Sequence, residues 1–161
     1  MRFVVAMLVA LSLFAPAPAS ADVTPNQSIG PFELGMSRAQ VRRVAGTPLR
    51  VKKWKNGNWR WTFKNGYRVT GKKWVFGIEY TGMRERGPGG IGVGSTQDEA
   101  LAAGWECGYG SCSYCPGDWQ CLITARLVFT SIFFDNIDGA GTAFMVTVAM
   151  VDPQKQKRPR F

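Results

Sequence analysis

Apolar and polar residues alternate along two stretches of the chain, which predicts strands with one buried face. The stretches are residues 59–63 and 74–80, and their apolar positions are Trp59, Trp61, Phe63, Trp74, Phe76, Ile78 and Tyr80. Asn56-Gly57 precedes the first stretch and Asn65-Gly66 follows it. Both dipeptides predict hairpin turns of type I′, in which the two central residues take positive φ. The pattern therefore predicts an antiparallel sheet.

A short helix is predicted just before this sheet. Ser37 and Gln40 have the spacing of a capping box, in which each side chain bonds to the backbone N–H of the other residue. Val41 and Val44 follow with the spacing of one apolar helix face, and Gly46 supplies a stop signal. Such a short helix is not stable alone, so we expect it to pack on the sheet.

The same order of signals recurs 59 positions later in the chain. Thr96 and Glu99 form a second capping box, and Gly104 ends a second short helix. Residues 123–129 predict one long strand, and residues 144–151, which are apolar on both faces, predict a central strand. We therefore expect an α+β fold of two helix-on-antiparallel-sheet repeats that form one domain.

The predicted organisation has three parts. Residues 1–21 are a signal peptide, residues 22–152 are a single domain, and residues 153–161 are a basic disordered tail. Within the domain, repeat 1 covers about residues 29–83 and repeat 2 about residues 89–152.

The signal-peptide prediction rests on three features at the N-terminus. Arg2 supplies the positive charge, residues 4–14 form an apolar run, and Ala19-Ser20-Ala21 fits an A-x-A cleavage site. The run is shorter than the roughly 20 apolar residues that a membrane-spanning helix needs. We therefore expect a secreted or periplasmic protein with no membrane span.

Charge favours anionic partners, because the chain has 20 Lys and Arg against 11 Asp and Glu. Phospholipid, polyanionic glycan, nucleic acid and acidic protein all fit this balance, but an exported chain seldom meets nucleic acid, so no nucleic acid is expected. Cations and tryptophans interleave around the first hairpin, which suits an interface. The predicted binding residues are Lys52, Lys53, Trp54, Lys55, Trp59 and Arg60. In the alternative interpretation, the tryptophans belong to the core and the cations to a solvated face.

All four cysteines lie within fifteen residues, at Cys107, Cys112, Cys115 and Cys121. Export implies an oxidising compartment, so disulfides are the default expectation. Three pairings are open, and we favour Cys107–Cys121 around Cys112–Cys115. The same Cys-x-x-Cys pair is the alternative site of a thiol-disulfide oxidoreductase. The spacings fit a zinc site poorly.

Catalysis has little support in the sequence. The chain has no histidine, which excludes Ser-His and Cys-His arrangements and the usual general base. We expect no catalytic residue, no metal and no cofactor. The function predicted is non-enzymatic binding of a protein or an anionic envelope component through an aromatic and basic sheet surface.

Residues 32–48 read FELGMSRAQVRRVAGTP. This segment resembles the motif of the BamE/SmpA-like and β-lactamase-inhibitory-protein-like families. The resemblance implies a short helical pair packed on an antiparallel sheet, carried twice in tandem by the inhibitors, and a protein-binding role. It also implies an alternative function, inhibition of a secreted hydrolase such as a β-lactamase. The chain departs from the BamE-like pattern because it lacks the lipid-accepting cysteine.

Overall fold

The computed structural model describes residues 23–109, 119–125, 128–134 and 143–150. The predicted signal peptide, the basic tail, Cys112 and Cys115 lie outside these residues. The elements are β1 (Val23–Thr24), β2 (Ser28–Ile29), β3 (Phe32–Glu33), α1 (Arg38–Ala45), β4 (Arg50–Lys53), β5 (Trp59–Thr62), β6 (Tyr67–Gly71), β7 (Val75–Tyr80), α2 (Gln97–Ala102), β8 (Glu106–Tyr109), β9 (Trp119–Ala125), β10 (Val128–Phe134) and β11 (Ala143–Met150).

Two antiparallel sheets organise the described residues. β1, β2 and β3 form a small sheet, and the other strands form one sheet of eight in the order β4-β5-β6-β7-β11-β10-β9-β8. Their pairings are antiparallel, and β7 and β11 meet at the centre. The fold is therefore α+β, as predicted. The last strand is also central, as its two apolar faces indicated.

Both helices begin as the sequence predicted. Ser37 and Gln40 form a complete capping box before α1, and Thr96 and Glu99 form one before α2. The backbone of the two cap residues is nearly identical, with φ −77° and ψ 162° at Ser37 and φ −82° and ψ 163° at Thr96. Gly46 ends α1 with φ 71°, a value that glycine adopts without strain.

The loops before the two helices attach to the sheet in the same way. Gly35 donates its N–H to the carbonyl of Val75, and Val75 donates back to Met36, both at 2.8 Å. The loop before α2 makes the same two bonds, at 2.6 and 2.7 Å, with Ala143. Val75 and Ala143 are the first residues of β7 and β11. Each helix is thus tied to one of the two central strands.

The large sheet has two halves, β4 to β7 and β8 to β11, and their ladders change register at matching places. The β6–β7 ladder shifts between Thr70 and Gly71, and the β10–β11 ladder shifts between Phe133 and Phe134. When the two ladders are aligned at these bulges, the β4–β5 pair Val51–Trp61 corresponds to the β8–β9 pair Cys107–Cys121. The two outer hairpins can therefore be compared position by position.

One face of the large sheet, the core face, is buried. Its side chains include Trp59, Trp61, Val69, Ile78, Val146 and Val148, each at most 6% exposed. The small sheet packs over its centre, where the ring of Phe32 lies 5.3 Å from that of Phe63 and 5.0 Å from that of Tyr67. The opposite face, the polar face, carries Arg60, Thr62, Arg68, Thr70 and Glu79.

The two Asn-Gly hairpins exist, but the predicted turn type is wrong. Trp54 donates its N–H to Asn58 across a three-residue loop, and Phe63 does the same to Tyr67. Gly57 (φ 85°) and Gly66 (φ 92°) have positive φ, whereas their asparagines do not. A type I turn followed by a left-handed glycine explains this geometry, because it needs only one residue with positive φ.

The predicted strand over residues 123–129 is also wrong. Ala125 ends β9 and pairs with Val128, the first residue of β10, so the segment contains a hairpin. The predicted alternation over residues 74–80 is interrupted too. The bulge beside Phe76 brings Val75, rather than Trp74 or Phe76, to the same face as Ile78.

Candidate docking surface

Charged residues are distributed unevenly along the described part of the chain. Residues 34–78, which hold α1 and β4 to β6, contain twelve of the 20 Lys and Arg residues and none of the 11 Asp and Glu residues. Residues 79–109 contain five acidic and only two basic residues. We call residues 34–78 the basic segment. Its charge is the strongest attraction that the described residues offer to an anionic partner.

Trp54 forms the centre of a small cluster on the polar face. The Lys52 ammonium lies 5.0 Å from the centroid of the half-buried Trp54 ring, and the Arg60 guanidinium lies 5.8 Å from it. Both distances are in the range of cation–π attraction. We call Lys52, Trp54 and Arg60 the Trp54 cluster. The structure therefore brings together three of the six predicted binding residues.

Arg60 is fixed by a second set of partners. Its guanidinium lies 3.0 Å from the Glu79 carboxylate, and its Nε donates to the Thr70 hydroxyl at 3.1 Å. Arg68 approaches the same carboxylate at 3.5 Å. Glu79 therefore neutralises part of the charge of two arginines on the polar face. Of the three cluster residues, Lys52 is the exposed one.

The prediction that Trp59 is a binding residue is wrong, because Trp59 is 0% exposed and belongs to the core. Its indole N–H donates to the Lys72 carbonyl at 2.7 Å, and its ring lies 4.9 Å from that of Trp61. Arg38 of α1 covers the ring at 5.3 Å. Trp59 and Trp54 differ because Trp59 follows the core-face alternation of β5, whereas Trp54 follows the polar-face alternation of β4.

Lys53 and Lys55 are exposed, but they lie apart from the Trp54 cluster. Lys53 pairs with Trp59 across β4 and β5, so its side chain projects on the core-face side. Lys55 lies in the turn between the strands. The cations around β4 therefore point in several directions, and they surround the strand rather than cover one face.

Strand β4 is an exposed edge of the sheet. It is the terminal strand in the order, and all four of its residues are exposed. Val51 is 53% exposed, and Leu49, just before the strand, is 64% exposed. These are two of the five large exposed apolar side chains among the described residues. Apolar contact area and positive charge therefore coincide at this edge.

A buried pair of titratable groups lies elsewhere, in the core. The Tyr67 hydroxyl donates to the Glu85 carboxylate, and both residues are at most 3% exposed. Burial raises the pKa of Tyr67 far above its ordinary value, and the hydrogen bond to Glu85 and the charge of Glu85 raise it further. The pair joins the basic segment to the segment that precedes α2. It is enclosed by the core rather than exposed to a substrate.

A shallow depression of about 620 Å³ lies between that segment and α2. It is lined by Arg86, Gly89, Gly90, Ile91, Gly94, Ser95, Glu99, Ala102 and Ala103. Arg86 is held by the Ser95 hydroxyl at 3.3 Å, and the depression is open to solvent. Among the described residues no cluster of three His, Cys, Asp or Glu side chains could hold a metal ion.

The structure joins Cys107 to Cys121, which is the outer pairing that the sequence favoured. The inner pair, Cys112 and Cys115, lies outside the described residues, so the thiol-disulfide alternative stays a prediction. Neither helix of the described ranges is long and apolar enough to cross a membrane.

Three features of the site were missed by sequence reasoning. The absence of acidic residues between Glu33 and Glu79 is visible in the sequence and marks the basic segment. The link between Arg60 and Glu79 and the position of β4 at the sheet edge have no sequence signal of their own, because strand order creates both.

Known proteins resemble this chain at the level of fold only. No known protein-family model matches it, and no curated protein matches it. Two similar solved structures, each with a TM-score of 0.53, are an extracellular protein containing a SCP domain from Bacillus anthracis (11% identity, 73% of this chain) and a cysteine-rich secretory protein from Staphylococcus aureus (14% identity, 81% of this chain). The chain spans 44% and 49% of their lengths.

These findings overturn the resemblance to the BamE/SmpA-like and β-lactamase-inhibitory-protein-like families. The structural neighbours are SCP-domain and cysteine-rich secretory proteins instead. The motif misled because local helix geometry accounts for its main residues: Gly35 takes positive φ, Ser37 and Gln40 cap α1, and Gly46 ends it. The hydrolase-inhibitor alternative rested on that resemblance alone and loses its support.

Proposed function

We propose that this protein is an exported, non-enzymatic binding protein that docks an anionic partner through the Trp54 cluster and the exposed cations around β4. The observation that carries the proposal is the division of charge, with twelve cations and no acidic residue in residues 34–78. The partner is a protein or another anionic component of the cell envelope.

Several observations support the export part of the proposal. The Cys107–Cys121 disulfide suits an oxidising compartment, and the N-terminal sequence has the features of a signal peptide. Two similar solved structures are described as extracellular and secretory proteins. These observations together support a secreted or periplasmic location.

The roles of the docking residues follow from their surroundings. Lys52, Lys53 and Lys55 are exposed and supply attraction over long range, which speeds encounter with an anionic partner. Trp54 supplies flat apolar contact area at the centre of the cluster. Arg60 is engaged by Glu79 and Thr70, so it holds the Trp54 ring in place rather than reaching toward the partner.

We further propose that the two halves are copies of one helix-on-sheet unit. The order of elements, the capping boxes, the loop-to-strand bonds and the bulges support this proposal. Such copies keep the backbone and the core, and their surfaces diverge. One copy then carries the docking surface and the other serves as scaffold.

The proposed function is tested with three anionic probes: polyglutamate, polyphosphate and phosphatidylglycerol vesicles. We expect at least one probe to bind at low salt and to weaken as salt rises. The Lys52→Glu/Trp54→Ala variant should lose about tenfold or more in affinity, which corresponds to about 1.4 kcal/mol.

The matched control is Lys64→Glu, which changes an exposed lysine in the turn at the opposite end of β5. It makes the same net charge change as Lys52→Glu, and we expect its affinity to fall by about threefold or less. Equal losses in both variants would show that only net charge matters. Failure of all three probes to bind at low salt would contradict the proposed function itself.

A further inference from the structure

We propose that the outer edge of β4 accepts an extended acidic segment of a partner polypeptide as a ninth strand of the large sheet. This inference rests on the proposed function and names the partner chemistry: a polypeptide whose backbone pairs with β4 and whose carboxylates meet the surrounding cations. Addition of a strand to an exposed sheet edge is a general mode of peptide recognition.

The backbone of β4 is prepared for such pairing. Trp54 donates its N–H to Asn58 at 2.9 Å, which makes Trp54–Asn58 a hydrogen-bonded pair of the β4–β5 ladder. Bonded and non-bonded pairs alternate in an antiparallel ladder, so Lys52 also bonds inward to β5. Val51 and Lys53 therefore direct their N–H and C=O groups away from β5, toward solvent. An incoming strand would bond to these two residues.

Charge selects the occupant of this edge. Arg50 and Lys52 project on the polar face and Lys53 projects on the core-face side, and all three are exposed. Like charges directly opposite each other in a ladder are destabilising, so two β4 edges do not pair with each other. Carboxylates in the same positions are attracted, which favours an acidic strand over a second copy of β4.

The other edge of the sheet differs at the matching positions. Cys107 of β8 is bonded to Cys121 of β9, whereas its counterpart Val51 is 53% exposed and has no covalent tie. Glu106 stands where β4 has Arg50. The residues of β8 therefore lack the positive charge that would attract an acidic strand. We expect such a strand to pair with β4 and not with β8.

The side-chain pattern of the partner follows from the alternation of β4. Residues opposite Lys52 and Arg50 lie on the polar face and should be acidic. The residue opposite Val51 lies on the core-face side, beside the exposed Val51 side chain, and should be apolar. The structure thus predicts a partner segment in which acidic residues alternate with apolar or β-branched residues.

The test measures binding of a labelled short peptide of alternating glutamate and valine to the full chain. Two further peptides of the same sequence are N-methylated, one on every valine amide and the other on every glutamate amide. Each keeps the charge of the peptide and loses the N–H donors along one of its two edges. We expect one methylated peptide to lose about tenfold or more in affinity and the other to stay within about threefold. Unchanged binding of both methylated peptides would overturn strand addition.

A protein variant gives an independent readout. Val51→Pro removes an outward N–H and leaves the inward bonds of β4 intact, which an edge strand tolerates. We expect Val51→Pro to lose about tenfold in peptide affinity and Val51→Ala, which keeps the N–H, to lose about threefold or less. Wild-type affinity of a folded Val51→Pro would overturn the proposal. If that variant unfolds, the methylated peptides decide the question.

The outcomes separate this inference from the proposed function. If polyphosphate binds tightly and the peptide binds no better than free glutamate, strand addition is wrong but anionic docking stands. If the chain alone assembles into filaments as its concentration rises, a second copy occupies the edge through its β8 strand, and the inference is likewise wrong. If no anionic probe binds, both proposals fail.

Discussion

The two halves of the sheet, which we propose are copies of one unit, differ in how their outer hairpins are held and charged. Each half has a capped helix, a loop bonded to a central strand and a bulge at the same ladder position. The outer hairpin of the second half is joined by the Cys107–Cys121 disulfide. The outer hairpin of the first half is held by tryptophan packing, and cations surround it.

This difference separates the positions that the fold requires from the positions that it leaves free to vary. Glycines with positive φ, cap residues and buried side chains recur in both halves because the backbone geometry requires them. Exposed positions carry no such requirement, and it is there that the halves diverge in charge. We therefore expect the proposed docking to involve residues that the two halves do not share.

The largest expected effect separates the two tryptophans of the first hairpin. Trp59→Ala should lower the free energy of unfolding by about 3–5 kcal/mol, because it removes a fully buried ring. Trp54→Ala should lower it by about 1 kcal/mol or less, because the ring is half-buried and makes only exposed cation–π contacts. Urea unfolding of both variants measures the difference. Equal losses would contradict the placement of Trp59 in the core and Trp54 outside it.

The second prediction compares the covalent and non-covalent hairpins. Replacing Cys107 and Cys121 together by serine should lower the free energy of unfolding by about 3 kcal/mol, as expected for a closed loop of this length. Val51→Ala, at the position that matches Cys107, should cost about 1 kcal/mol or less because Val51 is 53% exposed. Thermal and urea unfolding test both values. If Val51→Ala lowered the free energy of unfolding as much as loss of the disulfide does, the two hairpins would depend equally on this position, contrary to the prediction.

The third prediction concerns the buried contact that joins the basic segment to the rest of the chain. The folded state raises the pKa of Tyr67 above its ordinary value of 10.0. Stability from this group is therefore fully present below pH 10 and is lost as pH rises above it. Tyr67→Phe should cost about 2 kcal/mol at neutral pH and should weaken the fall in stability above pH 10. An unchanged alkaline slope in the variant would contradict the burial of this hydroxyl.

The smallest expected effect tests the role of Glu79 on the polar face. Glu79→Gln removes the carboxylate that engages Arg60 and Arg68, whose side chains are 38% and 44% exposed. We expect a stability loss of about 1 kcal/mol or less. Binding of polyglutamate should tighten by about twofold to threefold, because two guanidinium groups lose their acidic partner. Weaker binding would show that Glu79 orders the docking surface more than it neutralises it.

Local signals made much of the fold predictable. Ser37, Thr96 and the glycines that end the helices act through neighbouring backbone groups, so short spacings in the sequence define both helices. The hairpin between β9 and β10 was missed because the sequence between the paired residues Ala125 and Val128 is Arg-Leu, which contains none of the usual turn residues. The bulge beside Phe76 arises from pairing across strands, which sequence alternation alone does not contain.

The proposed docking site could be named from the sequence only in part, for the same reason. Lys52 and Trp54 could be named because cations and aromatics interleave in the sequence of the hairpin. The burial of Trp59 depends on where α1 packs, and the pairing of Arg60 with Glu79 depends on strand order. These are tertiary contacts, and a pattern of residue types does not specify them.

The central claim is that docking belongs to the basic segment and its β4 edge. The most direct test is a nuclear magnetic resonance titration of the full chain with the glutamate-valine peptide, in which backbone amide shifts are followed residue by residue. We predict that the largest changes fall on Arg50–Lys53 and the adjacent Trp54, while Glu106–Tyr109 at the opposite edge change little. Changes centred on Glu106–Tyr109, or spread evenly over both halves, would contradict the account.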